Sequence, residues 1–202
     1  MSDLPTFSSY DGHFVSPRLA VGAWPRAEHI DEIVAAGVRG IVNLASVTQR
    51  QHLAYVHRLP EDVAWIQLGI WDGFLPEGGS CNCPQTLTAS YARLLIQQAA
   101  IFMRDHAPLL VHCMGGQGRS GNVAALLHAA DQGITPDQAQ ERISEHRRVA
   151  PVFHDGFWGN AGSDALVELA RQVLNERQTP PELLRQRVRG ETLADAPEPR
   201  AV

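Results

Sequence analysis

The stretch "VHCMGGQGRSG", residues 111–121, constrains this chain more than any other. It joins the apolar run "APLL" to the helix-forming "NVAALLHAA". A strand, a glycine-rich turn and a helix in succession make an anion site, because loop N–H groups and the positive end of the helix converge on one point. Two chemistries fit the letters. Gly116, Gly118 and Gly121 have the G-x-G-x-x-G spacing of a dinucleotide-binding turn. His112, Cys113, Arg119 and Ser120 have the spacing H-C-x5-R-S, a loop folded back over its own cysteine.

The dinucleotide reading needs an acid at the end of a second strand, where it meets a ribose. Glu141 stands at the right distance, but inside "PDQAQERISEHRR". There Thr135, Pro136 and Gln138 are the N-cap, N1 and N3 of a helix, so no strand is expected. The fingerprint also usually opens its domain, and here much of the chain comes first. The cysteine-loop reading uses more residues. Gly115, Gly116 and Gly118 permit the backbone turns that aim successive N–H groups inward, with Met114 and Gln117 between them. A free thiol is only a few per cent ionised at neutral pH. Making a thiolate dominant, a change of about 3 pH units, takes about 4 kcal/mol. A helix terminus supplies at most about 2 kcal/mol. The remainder falls to the loop N–H groups, the Ser120 hydroxyl and the Arg119 charge, all encoded between Cys113 and Ser120.

The rest of the chain limits the context. Its 202 residues suit one domain with a tail, and 44% hydrophobic content suffices for a core. A formal charge of -5 argues against a nucleic-acid partner. No apolar run approaches the ~18 residues of a membrane helix. The N-terminus lacks the basic and apolar regions of a signal peptide. Three cysteines make no disulfide framework, so a cytoplasmic setting is expected.

Strand and helix patterns alternate. Strands are expected in 18–24, 40–45, 63–70 and 107–113, and helices in 27–40, 47–59, 86–106, 120–133, 135–148 and 165–177. Thr86 or Thr88 is the expected cap of the third helix. Residues 71–85 read as a long loop. These patterns predict an α/β single domain with a central, largely parallel sheet flanked by helices. The expected boundaries are an N-terminal extension over 1–14, the domain over 15–177, and a partly disordered tail over 178–202.

His112-Cys113-x5-Arg119-Ser120 resembles the signature of the cysteine-dependent protein tyrosine phosphatases. The "GxGRSG" ending and the small size resemble the dual-specificity branch. "PRLAVGAWP", "AAGVRGIVNLA" and "RRVAPVFHDGF" resemble other parts of that branch, so the likeness covers roughly residues 15–175. The resemblance implies a protein tyrosine phosphatase-like fold and hydrolysis of phosphomonoesters through a phosphocysteine. It implies Cys113 as nucleophile and Arg119 as the bidentate grip on phosphate oxygens. Met114, Gly115, Gly116, Gln117 and Gly118 would supply the phosphate-binding backbone. Ser120 would help the sulfur leave, besides serving as a helix N-cap. His112 would hold the loop through backbone contacts. The family's proton donor is an Asp on a loop upstream of the cysteine. Asp72 in "IWDGFLP" matches it, at a spacing somewhat longer than usual, with "EGGSCNC" as the insertion. Glu77 is a rival, whereas Asp62 precedes its strand and is expected at the far end.

Other residues have weaker assignments. Trp71 and Phe74 flank Asp72, either against a substrate ring or as loop anchors. Cys81 and Cys83 are loop thiols, with a reversible disulfide to Cys113 as the sharper alternative. A metal shared by His112 and Cys113 is disfavoured, because neighbours on a strand point to opposite faces. His154 and Asp155 are candidates for positioning water. No cofactor is expected. The loop has no lysine and Arg119 is its sole charge, which favours one phosphate per substrate: a phosphorylated protein or peptide bound by a monomer. An inositol phosphate or nucleotide, a phosphate-binding module without turnover, and a rhodanese-type sulfur transferase are the alternatives.

Overall fold

The structure is a computed structural model that describes residues 4–46, 50–70, 87–147 and 157–176. Five strands form one sheet: β1 (Gly12–Ser16), β2 (Leu19–Gly22), β3 (Gly40–Asn43), β4 (Ala64–Gln67) and β5 (Leu109–His112). Their spatial order is β1-β2-β5-β3-β4. β1 runs antiparallel to β2, and the other pairs are parallel. The expected α/β architecture with a largely parallel sheet is therefore the observed one.

The inner strands β2, β3 and β5 are largely apolar because both of their faces are covered, whereas the edge strand β4 leaves Trp65 exposed. Every residue of β2, β3 and β5 is buried. Alternate side chains feed two cores. Leu19, Val21, Val42, Leu109 and Val111 pack with α2 (Ala89–His106), α3 (Gly118–Gln132) and α5 (Ser163–Asn175). Ala20, Ile41 and Leu110 pack on the other face, with Ile30 and Ile33 of α1 (Ile30–Ala35) and with Tyr55. Tyr55 belongs to a 3-10 helical segment, Arg50–Arg58, where the sequence predicts a helix. α4 (Pro136–Arg147) packs on α3. Its Thr135 cap forms as predicted: Gln138 N donates to Thr135 Oγ1 at 3.2 Å, and Thr135 N donates to Gln138 Oε1 at 3.1 Å.

Several boundaries move. The first helix is α-helical only to Ala35 within the stretch 27–40, and Gly37 turns the chain at φ 97°, in the place of the C-terminal glycine that the sequence offers there. α2 starts after Thr88, whose hydroxyl accepts from Tyr91 N at 3.3 Å. β1 has no counterpart among the predicted strands, and it straddles the 14/15 boundary expected for the domain. It joins the sheet by pairing Gly12 with Gly22. The Tyr10 ring covers that pair so closely that a Cβ at either glycine would collide with it. Tyr10 Oη also donates to the Ala23 carbonyl. The run into β1 is tied to α1 by Glu32, whose carboxylate accepts from Ser9 N and Tyr10 N at 3.1 Å and from the Ser8 hydroxyl at 2.8 Å. These bonds, the Ser9 hydroxyl's foremost, lower the Glu32 pKa to about 2.

Candidate active site

β3 and β5 run parallel and end side by side, Asn43 opposite His112. In such sheets the carboxyl ends of the strands form the binding crevice. Cys113 is the first residue beyond β5 and is 3% exposed. The glycine turn leaves the strand over it. Met114 is half-buried, Gly115 exposed and Gly116 buried. Trp24 N, from the segment after β2, donates to Met114 O at 3.0 Å and fixes that edge of the turn. Gly116 has φ 66°, a conformation that costs an L-residue roughly 1–2 kcal/mol, so glycine is required there. Gln117 is the residue before the helix, without a side-chain cap bond.

α3 opens at Gly118, two residues earlier than predicted. Gly121 N donates to Gln117 O at 2.9 Å, and Asn122 Nδ2 donates to Gly118 O at 2.7 Å, closing the first turn. Arg119 and Ser120 therefore project from helical backbone. Ser120 is not the N-cap, which corrects that part of its expected role. Its Oγ lies 3.4 Å from Cys113 Sγ, a contact in which either group can donate. A helix N-terminus and a hydroxyl both face the sulfur, and both favour negative charge there. Gly121, third glycine of the dinucleotide spacing, has open space where its Cβ would be, so among the described residues the close packing that role demands is not present. Glu141 lies within α4, away from any strand end.

Arg119 is 3% exposed. Among its contacts, Nη1 donates to Ile70 O at 3.0 Å and to Leu44 O at 3.3 Å. Leu44 is presented by a tight turn after β3, in which Asn43 Oδ1 accepts from Ala45 N at 2.8 Å. Leu44 N in turn donates to His112 O at 2.8 Å, and Ile70 N to Leu44 O at 3.0 Å. The ends of three strands are thus bonded together around one guanidinium. None of these backbone acceptors has a residue-type signature in the sequence.

His112 and Cys113 point to opposite faces. Cys113 packs in the core shared with α3. The His112 ring turns toward Tyr55, with Nε2 2.9 Å from Tyr55 Oη and Nδ1 3.1 Å from Cys113 O. Tyr55 is the site residue that the sequence did not flag. It is an aromatic in an apolar stretch, and nothing local distinguishes it from core filling. Asp62 is exposed at the start of β4, the sheet end opposite the loop, as expected. Asp72, Glu77, Trp71, Phe74, Cys81, Cys83, His154 and Asp155 lie outside the described residues.

Residues 12–154 match the family model described as the Swiss Army Knife protein, DSP-PTPase phosphatase domain. The chain belongs to this family. The DSP-PTPase phosphatase domain match spans the strand–loop–helix site and all five strands of the sheet. A curated relative, "Putative tyrosine phosphatase 067L" of Invertebrate iridescent virus 3, is 29% identical over 145 residues. That alignment covers 72% of this chain and 56% of the viral protein, so the chain spans little more than half the length of that relative. Among solved structures, DUSP15 superposes with a TM-score of 0.57 at 16% identity, over 85% of this chain and 100% of its own. TpbA of P. aeruginosa does so with a TM-score of 0.53 at 18% identity, over 87% and 99%. These likenesses establish the fold of the DSP-PTPase domain. Among the described residues, no helix is long and apolar enough to cross a membrane.

Proposed function

We propose that this phosphatase domain hydrolyses phosphomonoesters through a phosphocysteine on Cys113, with phosphotyrosine, and phosphoserine or phosphothreonine, in proteins or peptides as substrates. The observation that carries the reading is the Cys113–Ser120–Arg119 arrangement: a buried sulfur 3.4 Å from a hydroxyl in the first turn of α3, a positive-φ glycine in the turn between them, and a buried guanidinium next to that hydroxyl in the chain.

The Cys113 sulfur attacks phosphorus, the S–P bond forms and the P–O bond to the alcohol breaks. Asp72, the family-matched acid, gives its proton to the leaving oxygen. Arg119 and the N–H groups of residues 114–118 hold the three equatorial oxygens as charge builds on them. Water then attacks phosphorus and Asp72 takes its proton back. The S–P bond breaks, and the Ser120 hydroxyl donates to the departing sulfur. A loop with no lysine supports a substrate with a single phosphate. The chain would act in the cytoplasm as a monomer without a cofactor.

Turnover of para-nitrophenyl phosphate, lost in Cys113→Ser, with no reaction on thiosulfate, tests the reaction class. Comparison of phosphotyrosine peptides with inositol polyphosphates tests the substrate class. Far faster hydrolysis of the latter would overturn the protein-substrate reading.

A further inference from the structure

His112 lies at the end of β5 in a polar row across the sheet, in register with Asn43 and, through it, with Gln67. Its ring is fully buried, and its contacts include hydrogen bonds at both nitrogens. The Cys113 carbonyl can only accept, so Nδ1 carries the proton. A neutral ring with its proton on Nδ1 leaves Nε2 as a bare acceptor, and the partner of Nε2 is the Tyr55 hydroxyl at 2.9 Å. Tyr55 is fully buried, and burial raises its pKa, so the phenol keeps its proton and donates it. The Tyr55 ring also packs edge-on against the imidazole, with centroids 5.4 Å apart and planes at 77°.

We propose that Tyr55 is a positioning residue for the cysteine loop: its O–H fixes the Nδ1–H form of His112, and that N–H holds the peptide between Cys113 and Met114. This inference rests on the phosphatase reading above and extends it across the sheet to a residue on the opposite face. The peptide concerned is the first of the loop. A hydrogen bond accepted by its carbonyl polarises its N–H, which strengthens a donor available to an anion in the turn. Without the Tyr55 proton, the Cys113 carbonyl alone favours the Nδ1–H form over an Nε2–H form that no longer meets a competing donor, and the bond to Cys113 O is lost in a fraction of molecules.

The test uses the full chain labelled with 15N-histidine, the His112 resonances being assigned by comparison with His112→Asn. The expected wild-type ring carries its proton on Nδ1. Tyr55→Phe, which keeps the ring and its packing, is expected to bring in the Nε2–H form. It should also lower kcat/KM for para-nitrophenyl phosphate by about three- to tenfold, the scale of one lost hydrogen bond. Alkylation of Cys113 by iodoacetate at neutral pH is expected to slow as well. A wild-type ring protonated on Nε2 overturns the proposal, whether or not the variant folds. So does a Tyr55→Phe protein whose tautomer is unchanged, or whose kcat/KM and alkylation rate both stay within twofold. Absence of turnover in the wild type counts against the phosphatase reading alone, because the tautomer and the alkylation rate still decide the role of Tyr55.

Discussion

Arg119 Nη1 donates to the Ile70 carbonyl at 3.0 Å, so the first turn of α3 is bonded to the chain leaving β4. Ile70 comes two residues before Asp72 in the sequence. One guanidinium thus ties the phosphate loop to the backbone that leads toward the expected acid. Lysine, a point charge, can reproduce neither the fork nor the two carbonyl bonds. Arg119→Lys is expected to lower kcat/KM for para-nitrophenyl phosphate by about a hundredfold or more, as loss of a charge-stabilising donor does. It should also lower the melting temperature. Steady-state kinetics and thermal unfolding on the same sample check both.

Ser120 faces the sulfur and not the helix end, so its removal should act on one half of the reaction. Ser120→Ala is expected to slow breakdown of the phosphoenzyme more than its formation. Stopped-flow assays should then show a burst of para-nitrophenol followed by a slow steady state. A uniform slowing of both phases would mean that the hydroxyl only shapes the loop.

Gly116 and Gly115 are adjacent but differ in what they tolerate. Gly116 has φ 66°, and alanine there costs roughly 1–2 kcal/mol and re-aims the neighbouring N–H groups. Gly115 has open space at its missing Cβ among the described residues. Gly116→Ala is expected to lower both stability and phosphate affinity, whereas Gly115→Ala leaves stability nearly unchanged. Urea unfolding and inhibition by inorganic phosphate separate the two.

Acid should destabilise the fold in two windows. His128 is buried with no hydrogen-bond partner on either ring nitrogen among the described residues. Burial first, and Arg142 second, lower its pKa from 6.5, against an opposing contribution from Asp131. The unfolded chain then takes up a proton that the folded chain resists, so stability falls as pH drops below about 6.5. His106, lowered by burial, acts in the same direction. His128→Leu should reduce this slope between about pH 7.5 and 5.5 without abolishing it. The Glu32 carboxylate has the second window. Its bonds to Ser8, Ser9 and Tyr10 stabilise the fold above its unfolded value of 4.5, and that contribution is lost as pH falls toward about 2. Glu32→Gln should flatten the pH–stability curve there only.

Much of this structure is legible in the sequence where one physical signal dominates. β2, β3 and β5 are buried on both faces, and each is written as an apolar run, closed in β3 and β5 by Asn43 and His112. α4 carries a capping box, and its start is right to the residue. The cysteine loop is legible because the chemistry needs its residue types at fixed spacing. β1 is not, because "GHFVS" is short and opens on a glycine, and the ring that covers its Gly12–Gly22 pair comes from Tyr10, outside the strand. The start of α3 is misread because Gln117 makes no side-chain cap bond, whereas Ser120 has the residue type of a cap. Tyr55 and His112 are 57 positions apart, and no periodicity within either segment reports their bond. The Leu44 and Ile70 acceptors are backbone atoms, which any residue supplies.

A pH–rate profile with a phosphotyrosine peptide addresses the acid. The profile of the wild type is expected to fall at high pH as the proton donor ionises, and Asp72→Asn to lose that basic limb. Loss in a Glu77→Gln variant instead would move the role to that residue.

Covalent phosphate on Cys113 is the chemical signature of a phosphocysteine mechanism. Wild-type protein and Ser120→Ala are mixed with para-nitrophenyl phosphate, quenched in acid, digested and examined by mass spectrometry. The peptide containing Cys113 is expected to carry one phosphoryl group, labile to nucleophiles and absent from Cys113→Ser. Turnover without any such adduct, or turnover that survives Cys113→Ser, would show that Cys113 is not the nucleophile.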